Sequence, residues 1–241
     1  MNRTEAVTAQ GLSRLVPTPD VLFTVEREGW FVIVFDAVTG HHPHLDRPEE
    51  LASVLALLDR MAQVLTSCPL PSVTAVSQAY GTKLRCWGRI AQDRVPADLD
   101  SWAIRNLDRL VELETRWLDW ADGDTLLHTD LRQDNLLVTA GGSVVVVDWG
   151  WPCRGAAWVD LVSLAPAIAA AGIDPDPILL TQPATRDLDR VAVDSFLCAL
   201  TGYWTVQSRR PGPPRSPGLR AYQARAARTT LTWLESRLAW S

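Results

Sequence analysis

With 241 residues, 47% of them hydrophobic, the chain can bury the core of one large domain or two small ones. A net charge of −5 argues against nucleic acid as the main partner. No apolar run is long enough to span a bilayer and the N-terminal dozen residues lack a signal-peptide core, so the expectation is a soluble, cytoplasmic protein with no membrane partner.

Residues 4–15 read as a short helix, with Ala6, Val7, Ala9 and Leu12 spaced for one face, ended by Pro17 and Pro19. Residues 21–25 and 30–35 follow as two strands joined by a turn at Arg27, Glu28 and Gly29. Residues 36–45 form a connector containing Gly40 and Pro43. A helix comes next: Asp46 caps it, Pro48 sits in its first turn and Glu49 completes a capping box. Its apolar stripe is Leu51, Val54, Leu55, Leu58, Met61 and Leu65, and Pro69 and Pro71 close it. Residues 72–95 show no clear period. A further helix over 99–121 presents Leu107, Leu110, Val111, Leu113, Trp117 and Trp120, and Gly123 breaks it. Residues 125–128 read as a short buried strand, and 136–139 with 144–147 as a hairpin across Ala140, Gly141, Gly142 and Ser143. Helices over 156–171, 188–207 and 219–240 complete the chain, with a proline-rich break at 209–218. Strands, helices, a lone hairpin and more helices make an α+β layout rather than alternating βαβ units. The boundary falls in the connector, dividing a first domain, 1–36, from a second, 37–241.

The stretch that carries chemistry is Leu126-Leu127-His128-Thr129-Asp130-Leu131-Arg132-Gln133-Asp134-Asn135-Leu136-Leu137, followed by the hairpin and Asp148-Trp149-Gly150. A strand ends at His128, a polar loop carries Asp130, Arg132 and Asn135, and pairing of the hairpin strands returns Asp148 beside that loop. Phosphoryl transfer needs such a set: a carboxylate to orient or deprotonate the attacking hydroxyl, and oxygen ligands to hold magnesium against the nucleotide phosphates. Asp130 fits the first task, Asn135 and Asp148 the second. A chance H-x-D-x-x-x-x-N arises on the order of once in ten thousand positions. A polar turn whose Asp and Asn only satisfy backbone groups is therefore the weaker explanation.

The same stretch resembles the catalytic loop of the aminoglycoside phosphotransferase-like family, within the protein-kinase-like fold. There the loop reads H-x-D-x-x-x-x-N and the metal motif is Asp-Phe-Gly or a variant; Trp149 stands here where Phe is common. The resemblance implies a few N-lobe strands followed by a mainly helical C-lobe. It implies Asp130 as catalytic base, Asn135 and Asp148 as Mg2+ ligands, and His128 as a support for the loop. It also implies ATP or GTP as co-substrate and a small-molecule acceptor. Arg132 either faces the γ-phosphate or is a solvated loop arginine. Residues 29–40 resemble the last N-lobe strand and hinge, which implies adenine against the backbone of Phe35, Asp36 and Ala37; a plain edge strand and turn is the alternative. Trp158-Val159-Asp160-Leu161 resembles a segment whose Asp braces the catalytic loop, unless Asp160 is an ordinary helix-surface charge.

A complete kinase-like fold also has a glycine-containing nucleotide loop and a strand lysine that grips the α- and β-phosphates and pairs with a helix glutamate. Lys83 is the only lysine and follows the hinge, Gly11 and Gly29 are isolated, and Gly81-Thr82-Lys83 lacks the flanking residues of a P-loop. Glu5 sits on the first helix, where the paired glutamate belongs, with no lysine to meet it. The chain thus reads as entering the N-lobe after its first three strands, either a truncated reading frame or a natural degenerate kinase. Two functions follow. One is a phosphotransferase moving the γ-phosphate of ATP or GTP to a small-molecule hydroxyl, on an aminoglycoside-like or other small metabolite. The other is a catalytically impaired pseudokinase, or a binding or regulatory module that keeps the C-lobe.

Other features carry less. Cys68, Cys86, Cys153 and Cys198 form no C-x-x-C pair, which argues against structural zinc and fits free thiols in a reducing cytosol. His41-His42-Pro43-His44 reads as a solvated cluster rather than a metal site. The acidic run from Asp98 to Asp124 suits a cationic substrate or is a solvated face. Arg209, Arg210, Arg215, Arg220, Arg225 and Arg228 read as a solvated helix and loop rather than a nucleic-acid surface. The eleven tryptophans are expected in the helical core.

Overall fold

The computed structural model describes residues 2–70, 72–93, 95–214 and 216–240, so Pro71 and Arg215 lie outside the described residues. The chain opens with α1 (Asn2–Leu12), which buries Ala6, Thr8, Ala9 and Leu12. Val7, expected on that face, is 61% exposed. A helix turns about 100° per residue, which puts Val7 opposite the arc shared by the buried four. Strands β1 (Val21–Arg27) and β2 (Trp30–Phe35) pair antiparallel through a tight turn in which Glu28 and Gly29 both have positive φ, 51° and 80°. Thr24, Glu26, Phe31 and Ile33 share one face of this hairpin by register. Arg3 of α1 covers that face, pairing with Glu26 and lying 4.7 Å from the centre of the Phe31 ring. Phe23, Val25, Trp30 and Val32, on the opposite face, are all exposed.

The connector contains a two-residue strand, β3 (Gly40–His41), too short to announce itself by alternation. Helix α2 (Pro48–Val64) follows. The expected capping box is not formed: Arg47 is the cap residue, with no side-chain cap bond. Glu50, rather than Glu49, reaches back, and its carboxylate accepts from the His44 N–H at 2.8 Å and from Arg47 at 3.1 Å. The buried stripe is Leu51, Val54, Leu57, Leu58, Met61 and Leu65, so Leu57 replaces the expected Leu55.

Residues 72–95 contain two short helices, α3 (Val76–Tyr80) and α4 (Cys86–Gln92). The single helix expected over 99–121 is instead α5 (Ser101–Arg105), α6 (Leu107–Leu113) and a 3₁₀ turn, Arg116–Trp120. Two buried polar residues explain the breaks. Asn106 turns its amide back to the Trp102 carbonyl at 3.1 Å. Glu114 is drawn to the start of α4, where it accepts from the Trp87 and Gly88 N–H groups, each at 2.8 Å. Asp100 caps α5 through the Trp102 N–H at 2.8 Å.

Next come β4 (Thr125–Leu127), a 3₁₀ turn at Gln133–Asn135, β5 (Leu136–Thr139), β6 (Val144–Val146) and β7 (Cys153–Gly155). β7 was not legible, since three residues around an exposed Arg154 show no period. The chain ends with α7 (Trp158–Ala170), a short α8 (Asp176–Thr181), α9 (Arg190–Gln207) and α10 (Leu219–Leu238). The named strands form three small antiparallel sheets, β1-β2, β3-β5-β6 and β4-β7. The layout is α+β, as expected.

Two compact units emerge. One comprises Met1–Ala75 and Gly123–Arg186 and contains every named strand; the other comprises Val76–Asp122 and Asp187–Ser241 and is helical. The boundary expected after Asp36 falls inside the first unit. In the helical unit α9 is central, with α4, α6 and α10 packed on it. At Gly202 of α9 a Cβ would lie 2.8 Å from the Trp87 ring, so the close approach of α4 requires glycine there. Trp87 and Trp117 are core residues, whereas Trp30 and Trp151 are exposed. Among the described residues no helix is long and apolar enough to cross a membrane.

Candidate active site

The first unit assembles the candidate residues at the end of β4. Buried Asp160, in the first turn of α7, accepts the His128 N–H at 2.7 Å and the Thr129 N–H at 2.9 Å. This bracing resolves the two readings of Asp160: it is a loop support and not a surface charge. Burial holds its carboxyl above the ordinary aspartate range, while His128 and the two N–H groups pull it down. His128 itself is fully buried. Its Nε2 lies 2.9 Å from the Val147 carbonyl and its Nδ1 accepts the Asp130 N–H at 3.3 Å, which fits the tautomer protonated at Nε2. The Trp149 ring meets it edge-on at 4.8 Å. One imidazole thus joins the loop after β4 to the segment carrying Asp148.

Asn135 is fixed on several sides. Its amide donates to the Asp130 carbonyl at 2.7 Å, its N–H donates to the Arg132 carbonyl at 3.0 Å, and its carbonyl accepts the Val147 N–H at 3.0 Å. With Nδ2 committed, Oδ1 remains as a hard oxygen donor, and Asp148 supplies a second within the same fold segment. Asp148 has φ 63°, and Thr129 has φ 60° with its hydroxyl on the Trp151 carbonyl at 2.5 Å. Thr129, next to Asp130, and Asp148 therefore both occupy the left-handed region, which costs energy for most residues other than glycine.

Asp130 is partly buried. Burial pushes its carboxyl above the ordinary aspartate range; Arg132 and His128 draw it back, and Asp148 and Asp134 push it further up. Arg132 Nε lies 3.5 Å from Asp130 Oδ1 and 3.3 Å from Asp134 Oδ1, so this arginine bridges two loop carboxylates. Glu5 of α1 is half-buried, and both burial and the charge of Asp148 hold its carboxyl above the ordinary glutamate range. Lys83 lies 4.9 Å over the Tyr80 ring, in the helical unit.

Phe35, Asp36 and Ala37 lie at the end of β2, and their hydrogen bonds are local. Phe35 pairs with Val21, the Asp36 N–H donates to the Asp20 carbonyl at 2.8 Å, and the Ala37 N–H donates to Asp36 Oδ1 at 2.8 Å. The structure thus brings together His128, Asp130, Arg132 and Asn135, with Asp148 following directly on the paired Val147, and leaves residues 35–37 outside that group. A small cavity lined by Leu58, Met61, Leu127, Leu161 and Gln182 abuts Asp160, and neither Asp130, Asn135 nor Asp148 lines it. Sequence reasoning missed Gln133, whose amide donates to the Pro43 carbonyl at 2.7 Å, and His42, whose Nδ1 lies 3.2 Å from the Leu136 carbonyl. Neither residue type nor spacing signals those contacts.

Comparison with known proteins places the fold and the family. Among solved structures, the AMP-bound spectinomycin phosphotransferase APH(9)-Ia is similar with a TM-score of 0.64 at 12% identity, covering 99% of this chain and 84% of that one. A choline/ethanolamine kinase family protein from Mesorhizobium loti is similar with a TM-score of 0.61 at 14% identity, covering 98% and 85%. An aminoglycoside phosphotransferase from Alicyclobacillus acidocaldarius has a TM-score of 0.58 at 15% identity, covering 98% and 81%. These likenesses are of fold, the kinase-like α+β fold expected from the catalytic loop. No curated protein matches the chain in sequence. The model of the phosphotransferase enzyme family (APH) matches residues 2–193, well over half of the 241. The chain therefore belongs to the phosphotransferase enzyme family.

Proposed function

We propose that the chain is a small-molecule kinase-type phosphotransferase, moving the γ-phosphate of ATP or GTP to a hydroxyl of an aminoglycoside-like or other small metabolite in the cytoplasm. The observation that carries this is the bonding around Asn135: its amide on the Asp130 carbonyl at 2.7 Å, and its own carbonyl on the Val147 N–H at 3.0 Å. Those two bonds tie the backbone at Asp130 and the segment leading into Asp148 to Asn135. Asp130, kept accessible to protons by its raised carboxyl, accepts the proton of the attacking hydroxyl. His128 and Asp160 hold the loop in shape. Arg132 moderates the charge of Asp130 and offers its guanidinium to the transferred phosphoryl group. The backbone around Phe35, Asp36 and Ala37 receives the base. Two hard oxygens, from Asn135 and Asp148, suit magnesium, which takes few protein ligands and keeps water and phosphate for the rest. Magnesium would neutralise charge on the nucleotide phosphates.

The second reading, a nucleotide-binding or regulatory module with impaired transfer, has its own support. The only lysine sits on Tyr80 in the helical unit, and the largest charge effect on Glu5 comes from Asp148, a second carboxylate. On that ground nucleotide binding is expected to be weak. Thermal melting with millimolar ATP or GTP, with and without magnesium, tests both readings. A ligand at a hundred times its Kd stabilises by about 2.7 kcal/mol. For a chain of this size that is a rise in Tm of roughly 5–10 °C; a smaller rise is expected here. Asp148→Ala should abolish the magnesium dependence. Transfer of labelled γ-phosphate is then measured against aminoglycosides, choline, homoserine and sugar alcohols. Transfer lost by roughly a hundred- to ten-thousand-fold in Asp130→Asn, with nucleotide still bound, supports the enzyme. Binding without transfer supports the module. A shift that does not depend on magnesium would remove the enzyme reading, and no shift with nucleotide under either condition would remove both.

A further inference from the structure

The connector runs antiparallel beside the catalytic loop. Gly40 and His41 of β3 pair with Thr139 and Val138 of β5. At Gly40 a Cβ would stand 2.6 Å from the Val138 carbonyl, so the approach is as close as backbone permits. One residue on, His42 Nδ1 lies 3.2 Å from the Leu136 carbonyl, and the Pro43 carbonyl then accepts from Gln133 Nε2 at 2.7 Å. The partner number falls steadily as the connector number rises. The first two partners meet by backbone, the last two through one side chain each.

Pro43 explains the change. It has no N–H, so a ladder cannot exchange a pair of bonds through it. Pro43 is buried, and its carbonyl still needs a donor. The Gln133 amide provides one, and the His42 ring does the work of a backbone N–H toward Leu136. Asn135 lies between these two crossings. Its own bonds, to Asp130, Arg132 and Val147, tie it to loop and hairpin. The Gln133 bond ties the same 3₁₀ turn to the connector.

We propose that Gln133, with His42, is a positioning residue. It extends the β3–β5 ladder in side-chain form and fixes the Asn135 amide relative to the connector that leaves residues 35–37. The functional consequence rests on the phosphotransferase reading; the contact itself does not.

Three variants test it. Gln133→Ala removes the donor, Gln133→Glu keeps the shape but sets an acceptor against the Pro43 carbonyl, and Gln133→Lys restores an N–H donor. The first readout is amide hydrogen exchange without ligand. Exchange of residues 131–137 should quicken roughly three- to tenfold in Ala and Glu, the weight of one hydrogen bond, and return toward the parent in Lys. The second is the magnesium concentration for half-maximal binding of ATP or GTP. It should rise by a similar factor in Ala and Glu, with magnesium-free nucleotide affinity unchanged. Unchanged loop exchange in Gln133→Ala, or quickening spread evenly over the protein, overturns the clasp. Quickened loop exchange with an unmoved magnesium midpoint overturns the positioning of Asn135. If the parent shows no magnesium-dependent binding, the phosphotransferase reading falls, and the exchange data still decide the clasp.

Discussion

The two hairpins of the first unit differ in a way that their lengths do not suggest. β1 and β2 have seven and six residues, β5 and β6 only four and three. Yet the short hairpin gains a third strand from β3, a bond from the Val146 N–H to the Pro17 carbonyl, and another from Val147 to Asn135. The long one is covered on one face by α1, while Phe23, Val25, Trp30 and Val32 on the other stand 43% to 69% exposed. A two-stranded sheet alone is marginal in water, and outside support rather than strand length decides rigidity. The candidate chemistry is attached to the hairpin that has that support.

The largest expected effect comes from breaking the short hairpin. Leu136 of β5 is fully buried, and Leu136→Ala should cost about 2–5 kcal/mol. In a chain of this size that lowers Tm by roughly 4–20 °C. A loss under ~1 kcal/mol would mean that β5 is not the rigid member of the pair.

A smaller effect separates the chemistry from the support. The carboxyl of Asp130 is raised in the folded state, chiefly by burial. A raised carboxyl favours folding below the unfolded pKa of about 4, and that contribution disappears as pH rises through the folded value. Asp130→Asn, which cannot ionise, should therefore melt higher than the parent at neutral pH. The gain should shrink as pH falls through the raised folded value and be gone below about 4. Melting curves from pH 3 to 8 check this, and a gain that grows toward low pH would show the sign to be wrong.

Least should happen on the long hairpin. Val32 is exposed, and Val32→Thr should change stability by no more than about 0.5 kcal/mol. A cost comparable with Leu136→Ala would show that the apolar face of β1–β2 is covered in solution.

Legibility in the sequence followed the same divide between local and outside support. The β5–β6 hairpin was readable because Gly141 and Gly142 separate two apolar runs, and the loop motif before it has a spacing that chance seldom produces. β1 and β2 were readable from their own apolar content. β3 and β7 were not, because strands of two and three residues carry no period and exist through their partners. The helix expected over 99–121 failed because apolar spacing says nothing of where Glu114 finds N–H groups to accept. Asp160 could be read two ways until its bonds to residues 128 and 129 were seen. Gln133 gave no signal, since its partner is a proline carbonyl ninety residues earlier.

The left-handed backbone at Asp148 has an evolutionary consequence. A non-glycine residue at φ 63° costs roughly 1 kcal/mol relative to glycine. Both aspartate codons become glycine codons by a single base change. For a gene copy released from selection, the mutation that removes this carboxylate is thus near at hand and energetically downhill: Asp148→Gly relaxes the turn while leaving the hairpin and its partners in place. Folding and retained chemistry pull on this codon in opposite directions.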